Sequence, residues 1–126
     1  MMKKSKNYSN DTLQIKFTED DHIIYTAWQG KSIDRNPSAF ITPILIDVFK
    51  MSSNTGKDIT LDFREIEYMN SSTITPIIKF LERAKRGSTK IKVIYLSSLK
   101  WQELIFSALE IFQTDDKRIL IEGLSK

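Results

Sequence analysis

Cysteine is absent from the 126-residue chain and histidine occurs only once, which excludes several kinds of chemistry. Without cysteine there is no disulfide, no thiolate nucleophile and no zinc site built on thiolates. His22 alone cannot build the common transition-metal centres, because these use several histidine or cysteine ligands. We therefore expect this protein to bind no metal and no cofactor.

Long apolar runs and glycine-rich loops are also missing. No stretch approaches the roughly 18 apolar residues of a membrane helix, and the polar first ten residues do not resemble a secretory signal. We therefore expect a cytoplasmic protein with no membrane partner. The four glycines are isolated, so they form no phosphate-binding loop, and the motifs G-x-S-x-G and H-E-x-x-H do not occur. The sequence thus predicts a protein that is not an enzyme.

The excess positive charge of the chain lies at its N-terminus. The formal net charge is +3, and Lys3, Lys4 and Lys6 supply it, since the remaining sixteen basic residues balance sixteen acidic ones. We predict that residues 1–10 form a flexible basic leader and that residues 11–126 form a single domain. A nucleic-acid binder carries its charge on one face of the folded domain, so we expect no nucleic-acid partner.

The order of the apolar patterns predicts an α/β fold. Helical spacing follows Asn36, begins again between Asn70 and Pro76, and occurs a third time after the candidate caps Ser97 and Ser98. Strand patterns separate these helices, and they lie around residues 13–17, 22–28, 59–63, 91–96 and 118–121. Strands that alternate with helices after an opening hairpin indicate a mixed sheet of four to five strands with three main helices.

The third helix is predicted to bury one side and to expose apolar residues on the other. At about 100° per residue, the side assigned to the core carries Trp101, Leu104, Ile105, Ala108 and Phe112. Leu99 and Phe106 then point toward solvent, and we predict that they form a partner-binding patch. In the alternative, the N-terminal leader or the C-terminal segment folds over them.

Small polar side chains crowd the junction between the third predicted strand and the second helix. Tyr68 and Met69 are followed by Asn70, Ser71, Ser72 and Thr73. Helix capping explains one or two of these polar residues. Open α/β sheets also place their ligand sites at such corners, where the positive end of the helix dipole lies. The residues alone leave capping and a functional site equally open.

This junction resembles the signature of the STAS family, the domain of anti-sigma-factor antagonists. In that family a hydrophobic strand with an Asp, here Asp62, leads into (D/N)-(S/T)-S at the head of the next helix, here Asn70, Ser71 and Ser72. The segment Gly30-Lys31-Ser32-Ile33 and the Asn before the Ser are similar to one subgroup, the biofilm-signalling STAS-like proteins. The resemblance covers residues 13–112. Sporulation-type antagonists have Asp at the first motif position and Gly where this chain has Thr73.

The resemblance implies a non-enzymatic phospho-switch regulator in which Ser71 is the phosphoacceptor. The residues that it places around the phosphosite are Asp62, Tyr68, Asn70, Ser72 and Thr73. The partners that it implies are a Ser/Thr kinase of the anti-sigma-factor type, a PP2C-type phosphatase and a downstream effector such as a diguanylate cyclase. Unmodified protein is expected to bind its partner and phosphorylated protein to release it.

Two other functions remain open. A small-ligand or nucleotide sensor would use the same corner as an anion site, and nucleotides would then stabilise the purified protein without a kinase. A subunit with a role only in assembly would need no such site. An added phosphate of about 80 Da on protein from the native host would favour the switch.

Overall fold

The computed structural model describes residues 4–125, which form one mixed sheet with helices packed on it. The strands are β1 Lys4–Ser9, β2 Leu13–Glu19, β3 Ile23–Ser32, β4 Asp58–Met69, β5 Ile91–Leu96 and β6 Ile119–Leu124. The helices are α1 Ser38–Thr55, α2 Ile74–Lys85 and α3 Lys100–Ser107, with short 3₁₀ segments at Ser71–Thr73 and Ala108–Phe112. The predicted α/β class, mixed sheet and three helices are confirmed. None of the described helices is long and apolar enough to cross a membrane.

The strands follow one another across the sheet in the order of the sequence. The pairs β1–β2 and β2–β3 are antiparallel, and the pairs β3–β4, β4–β5 and β5–β6 are parallel. Right-handed crossovers between successive parallel strands place all three helices on the same face. On β4, Ile59, Leu61 and Phe63 are buried under these helices, whereas Thr60 lies on the helix-free face.

The sheet has six strands, which corrects the prediction of four to five. The additional strand is β1, in a segment that we expected to be flexible. Lys4–Ser9 pairs with β2 along its whole length, and the ring of Tyr8 packs against the core. Because β1 is an edge strand with almost every residue exposed, it carries no apolar alternation that would reveal it in the sequence. Residues 1–3 of the predicted leader lie outside the described residues.

Helix α3 turns a different side to the core than the sequence predicted. Phe106 is fully buried, with its ring centroid 4.8 Å from Phe63 and 5.6 Å from Tyr95. Leu104, which was assigned to the core, is 66% exposed, and Ala108 is exposed as well. The prediction that Phe106 forms a solvent-facing partner patch was therefore wrong. Leu99 is 39% exposed, and its role in binding stays a prediction.

A buried glutamine sets the orientation of α3. The side-chain oxygen of Gln102 accepts the Leu96 backbone N–H at 2.8 Å. Its Nε2 donates to the backbone carbonyls of Phe63 and Ile66, both at 3.1 Å. With every polar atom paired, a side chain that polarity alone assigns to solvent is stable in the interior. Because Gln102 is buried, α3 faces the sheet with a different side than the one that its apolar residues predicted.

The start of α3 lacks the serine cap that we predicted. Leu99 occupies the cap position, and no side chain there bonds to the helix start. Ser97 Oγ instead donates to the Leu124 carbonyl at 3.2 Å, and Ser98 Oγ donates to the Ser125 carbonyl at 3.4 Å. These two hydroxyls tie the β5–α3 junction to the end of the chain, so they are not available as caps.

The outer edge of β6 is covered by side chains of the preceding loop. Thr114 Oγ1 accepts the Ile119 N–H at 3.1 Å, and Gln113 Oε1 accepts the Ile121 N–H at 2.9 Å. The Thr114 N–H also donates to the Ile119 carbonyl at 3.3 Å. Part of the edge ladder is thus completed within the chain.

Candidate functional site

Asn70 holds the corner between β4 and α2 as a helix cap. Its backbone is extended, at φ −75° and ψ 167°, as is usual at a cap position. Its Oδ1 accepts the Thr73 N–H at 3.1 Å and the Thr73 hydroxyl at 2.7 Å. Its Nδ2 donates to the Asp34 carbonyl at 2.8 Å. One side chain therefore fixes the entrance to α2 and ties it to the loop that precedes α1.

Thr73 continues this network into the interior. The residue is fully buried, and its Oγ1 lies 2.6 Å from the Oγ of Ser32 at the end of β3. On the outer side, Asn10 Nδ2 donates to the Asp34 carboxylate at 3.1 Å. The network thus joins the β1–β2 turn, the end of β3, the loop before α1 and the start of α2. Long-range hydrogen bonds therefore hold the corner from several directions.

Ser71 and Ser72 take no part in this network. Both residues are exposed, and within residues 4–125 neither hydroxyl makes a hydrogen bond. Ser71 is the first residue of the 3₁₀ segment, directly after the cap. Capping therefore accounts for Asn70 and Thr73 and leaves the two serine hydroxyls accessible. The helix α2 begins at Ile74, within the predicted interval.

Two exposed apolar side chains lie at the same end of the sheet. Tyr68 is 50% exposed near the end of β4, and Ile33 is 50% exposed directly after β3. Parallel pairing places Lys31 beside Tyr68, so the ends of β3 and β4 meet at one edge. Ile33 was not predicted to be part of the site. The signal that would have found it is the parallel β3–β4 pair, which brings the residues after β3 next to those after β4.

Asp62, which the resemblance placed around the phosphosite, lies elsewhere. It sits on the helix-free face of β4, seven residues before Met69, which corresponds to about 23 Å of strand. Its carboxylate binds Arg64 through Nη2 at 2.8 Å and Nε at 3.0 Å. It also accepts a hydrogen bond from the hydroxyl of Tyr25. The structure therefore does not bring Asp62 together with Ser71.

The Asp62 cluster has shifted acidities that follow from these contacts. Burial raises the pKa of the Asp62 carboxyl, but the hydrogen bonds from Arg64 and Tyr25 outweigh it, and the pKa lies below its usual range. Burial and the hydrogen bond to Asp62 raise the pKa of Tyr25 to about 12. The cluster holds a single carboxylate, and in the described part of the chain no three acidic or histidine side chains are grouped as a metal site.

Solved structures of other proteins share this fold. SiaC of Pseudomonas aeruginosa matches with a TM-score of 0.67 and 14% identity over 96% of this chain and 99% of that chain. An anti-sigma factor antagonist from Mycobacterium paratuberculosis matches with a TM-score of 0.58 and 13% identity over 88% of this chain and 94% of that chain. At such low identities the likeness establishes the fold and not the activity.

A family model identifies the chain more closely. No curated protein matches the sequence. The family described as "SiaC family regulatory phosphoprotein" matches residues 6–115, which include most of β1 and the whole Ser71 corner. The match and the shared fold confirm the STAS-like resemblance, and the family description supports the regulatory role that the resemblance implied. The chain belongs to the SiaC family of regulatory phosphoproteins.

Proposed function

We propose that the protein is a phospho-switch in which Ser71 is reversibly phosphorylated. A Ser/Thr kinase of the anti-sigma-factor type adds the phosphate, and a PP2C-type phosphatase removes it. The unmodified protein binds its kinase or an effector such as a diguanylate cyclase. The observation that supports this proposal is the free, exposed hydroxyl of Ser71 beside a helix cap that other residues complete.

Phosphorylation of Ser71 is expected to leave the fold intact. A phosphate adds about −1.5 to −2 charge units at neutral pH. Close to a helix N-terminus this charge is favourable by roughly 0.3–1 kcal/mol. Because Asn70 and Thr73 hold the corner, no hydrogen bond of the Ser71 hydroxyl has to break. The modification therefore acts on whatever docks at the corner.

The exposed side chains of Ile33 and Tyr68 give the docking surface its apolar part. A partner that covers them also removes water from the neighbouring Ser71. A phosphate forced into that interface without a counter-charge costs several kcal/mol. Since about 1.4 kcal/mol corresponds to a tenfold change in affinity, the phosphorylated protein should bind at least a hundredfold more weakly.

The acceptor residue is tested by intact-mass and peptide mass spectrometry of protein incubated with its cognate kinase and ATP. Ser71→Ala should take up no phosphate, whereas the matched control Ser72→Ala should be phosphorylated like the wild type. The reverse result would place the acceptor at Ser72. Stabilisation of the purified protein by nucleotide alone, with no phosphate added, would instead support the ligand-sensor function.

The switch itself is tested by titrating the kinase with unmodified and phosphorylated protein. Ser71→Ala should bind within about threefold of the wild type, because a missing hydroxyl leaves the apolar surface unchanged. Equal affinity of the phosphorylated and unmodified forms would show that the phosphate does not control docking.

A further inference from the structure

An open groove of about 150 Å³ lies between helices α1 and α2. The apolar side chains that line it come from both helices and include Leu45, Ile46, Phe49 and Phe80. Leu45 and Phe80 are buried, whereas Ile46 is 39% exposed. A cavity of about this volume holds a benzene ring. The groove, which we call the α1–α2 groove, therefore has room for one large apolar side chain.

Both charged residues that line the α1–α2 groove are cations. Lys79 and Arg83 are exposed on α2, one helical turn or about 6 Å apart along the helix axis. The Arg83 guanidinium lies over the ring of Phe49, 5.1 Å from its centroid. Within residues 4–125, neither Lys79 nor Arg83 forms an ion pair with a carboxylate. Their positive charges are therefore available to an acidic ligand.

The carboxylates of α1 and α2 lie on other sides of these helices. At about 100° per residue, Glu82 is about 110° from the middle of the side of α2 that lines the groove. Asp47 is about 150° from the middle of the corresponding side of α1. The groove thus combines an apolar interior with positive charge along one rim. Such a surface is complementary to an apolar group with negative charge beside it.

We propose that the α1–α2 groove binds an acidic amphipathic helix of a partner protein. One large apolar residue of that helix fills the groove, in the manner of other helices that bind in grooves. Two acidic residues one turn apart pair with Lys79 and Arg83, because they repeat at the same spacing as the two cations. A groove that holds one side chain is too short for the tail of a fatty acid, which favours a protein segment. The groove contains neither serine of the Ser71 corner, so this site is additional to the phospho-switch.

Synthetic helical peptides test this preference when they are titrated into the full-length, ¹⁵N-labelled protein and followed by amide chemical shifts. The probe is an alanine-rich peptide that carries one leucine and, beside it, two glutamates four residues apart. With one apolar anchor and two exposed ion pairs, we expect a dissociation constant on the order of 100 μM. The shifts should be largest around Ile46 and Phe80. Two matched peptides, with lysines in place of the glutamates or alanine in place of the leucine, should each bind at least tenfold more weakly.

A charge exchange in the protein tests the two cations. The double variant Lys79→Glu, Arg83→Glu should bind the acidic peptide at least tenfold more weakly and should now prefer the lysine peptide. The double variant Lys90→Glu, Lys100→Glu is the matched control, because it changes the net charge equally at residues that do not line the groove. It should bind the acidic peptide within about twofold of the wild type. All four residues are exposed, so both variants should melt close to the wild-type temperature.

A further pair of variants tests the apolar wall. Ile46→Asp should abolish binding of the acidic peptide, whereas Leu104→Asp, at an exposed apolar residue of α3, should bind it like the wild type. The proposal is overturned if the wild type does not bind the acidic peptide, or if it binds the acidic and lysine peptides equally. It is also overturned if dodecanoate displaces the peptide and binds more tightly, because the groove is then a site for a lipid anion. None of these measurements involves the kinase or Ser71, so their failure is distinct from a failure of the phospho-switch.

Discussion

Two of the three strand-to-helix junctions in the described part of the chain begin alike in sequence and end differently in structure. Each carries two consecutive serines, Ser71 and Ser72 before α2, and Ser97 and Ser98 before α3. At the β5–α3 junction both hydroxyls donate to backbone carbonyls at the end of the chain. At the β4–α2 corner Asn70 provides the cap, and both serine hydroxyls stay free and exposed.

This difference shows why a serine pair alone does not identify a site of modification. A hydroxyl that completes a backbone hydrogen bond has a structural role, and adding a phosphate to it would break that bond. A hydroxyl beside a completed cap has no such role. An accessible hydroxyl is therefore recognised by the bonds that its neighbours make, and of these two junctions only the β4–α2 corner has a pair of free serines.

The largest effect should come from replacing Phe106, the buried ring through which α3 packs on the sheet after the β5–α3 junction. Phe106→Ser removes a fully buried ring that packs on Phe63 and Tyr95, and it leaves a cavity and a buried hydroxyl. We expect a loss of about 3–5 kcal/mol in the free energy of unfolding, measured by urea denaturation. Leu104→Ser, measured in dilute solution, is the matched control on the exposed side and should cost less than about 0.5 kcal/mol. A small loss for Phe106→Ser would mean that α3 is not held by its core face.

A smaller loss of stability should distinguish the capped β4–α2 corner from the β5–α3 junction, which has no side-chain cap. Asn70→Ala removes the acceptor of two Thr73 bonds and the donor to Asp34, so the unfolding free energy should fall by about 1–2 kcal/mol. Ser97→Ala removes one exposed bond to the Leu124 carbonyl and should change stability by less than about 0.5 kcal/mol. If Asn70→Ala and Ser97→Ala lower the unfolding free energy equally in thermal or urea denaturation, the Asn70 cap is no more important for stability than the Ser97 hydrogen bond.

The smallest effect concerns Asp62 on the helix-free face of β4. Its pKa is lowered in the folded protein, so the carboxylate contributes stability above its unfolded pKa of about 3.9, and this contribution is lost as the pH falls through the folded pKa. Because Arg64 is 34% exposed, we expect only about 1 kcal/mol at neutral pH. The stability difference between wild type and Asp62→Asn, measured in urea, should shrink between pH 6 and pH 3.

Asp62→Asn also tests whether Asp62 belongs to the surroundings of the phosphosite. Because Asp62 lies far along the strand from Ser71, Asp62→Asn should be phosphorylated by the kinase at the wild-type rate. If Asp62→Asn keeps its fold and is phosphorylated more than about threefold more slowly than the wild type, Asp62 does contribute to the site.

The parts of the fold that the sequence predicted are those with one clearly buried face. Alternation in β2 and β4 and the apolar side of α2 each report a single interior, so the class and element order follow from them. The Ser71 corner was found because its residues are contiguous. β1 was not predicted because an exposed edge strand buries too few side chains to show an apolar alternation. The orientation of α3 was missed because Gln102 is buried by hydrogen bonds, which polarity does not reveal.

The long-range hydrogen bonds at the Asn70 corner could not be predicted from local sequence. Asp34 and Asn10 reach this corner only through the pairing of β3 with its neighbours. The sequence separations of 36 and 24 residues leave no periodic signal, since they depend on the register of the whole sheet. The free state of the Ser71 hydroxyl follows from these contacts and was likewise not visible in the motif.

The side chains that cover the β6 edge also bear on how the protein behaves when it is abundant. An open strand edge is a template on which further strands can add, and this is the first step toward fibrils. Thr114 and Gln113 already occupy the N–H groups that such an incoming strand would need, while the opposite edge presents the charged side chains of Lys4 and Lys6. Both ends of the sheet thus resist amyloid growth. The helices and the Ser71 corner are then the surfaces left for contacts with other proteins.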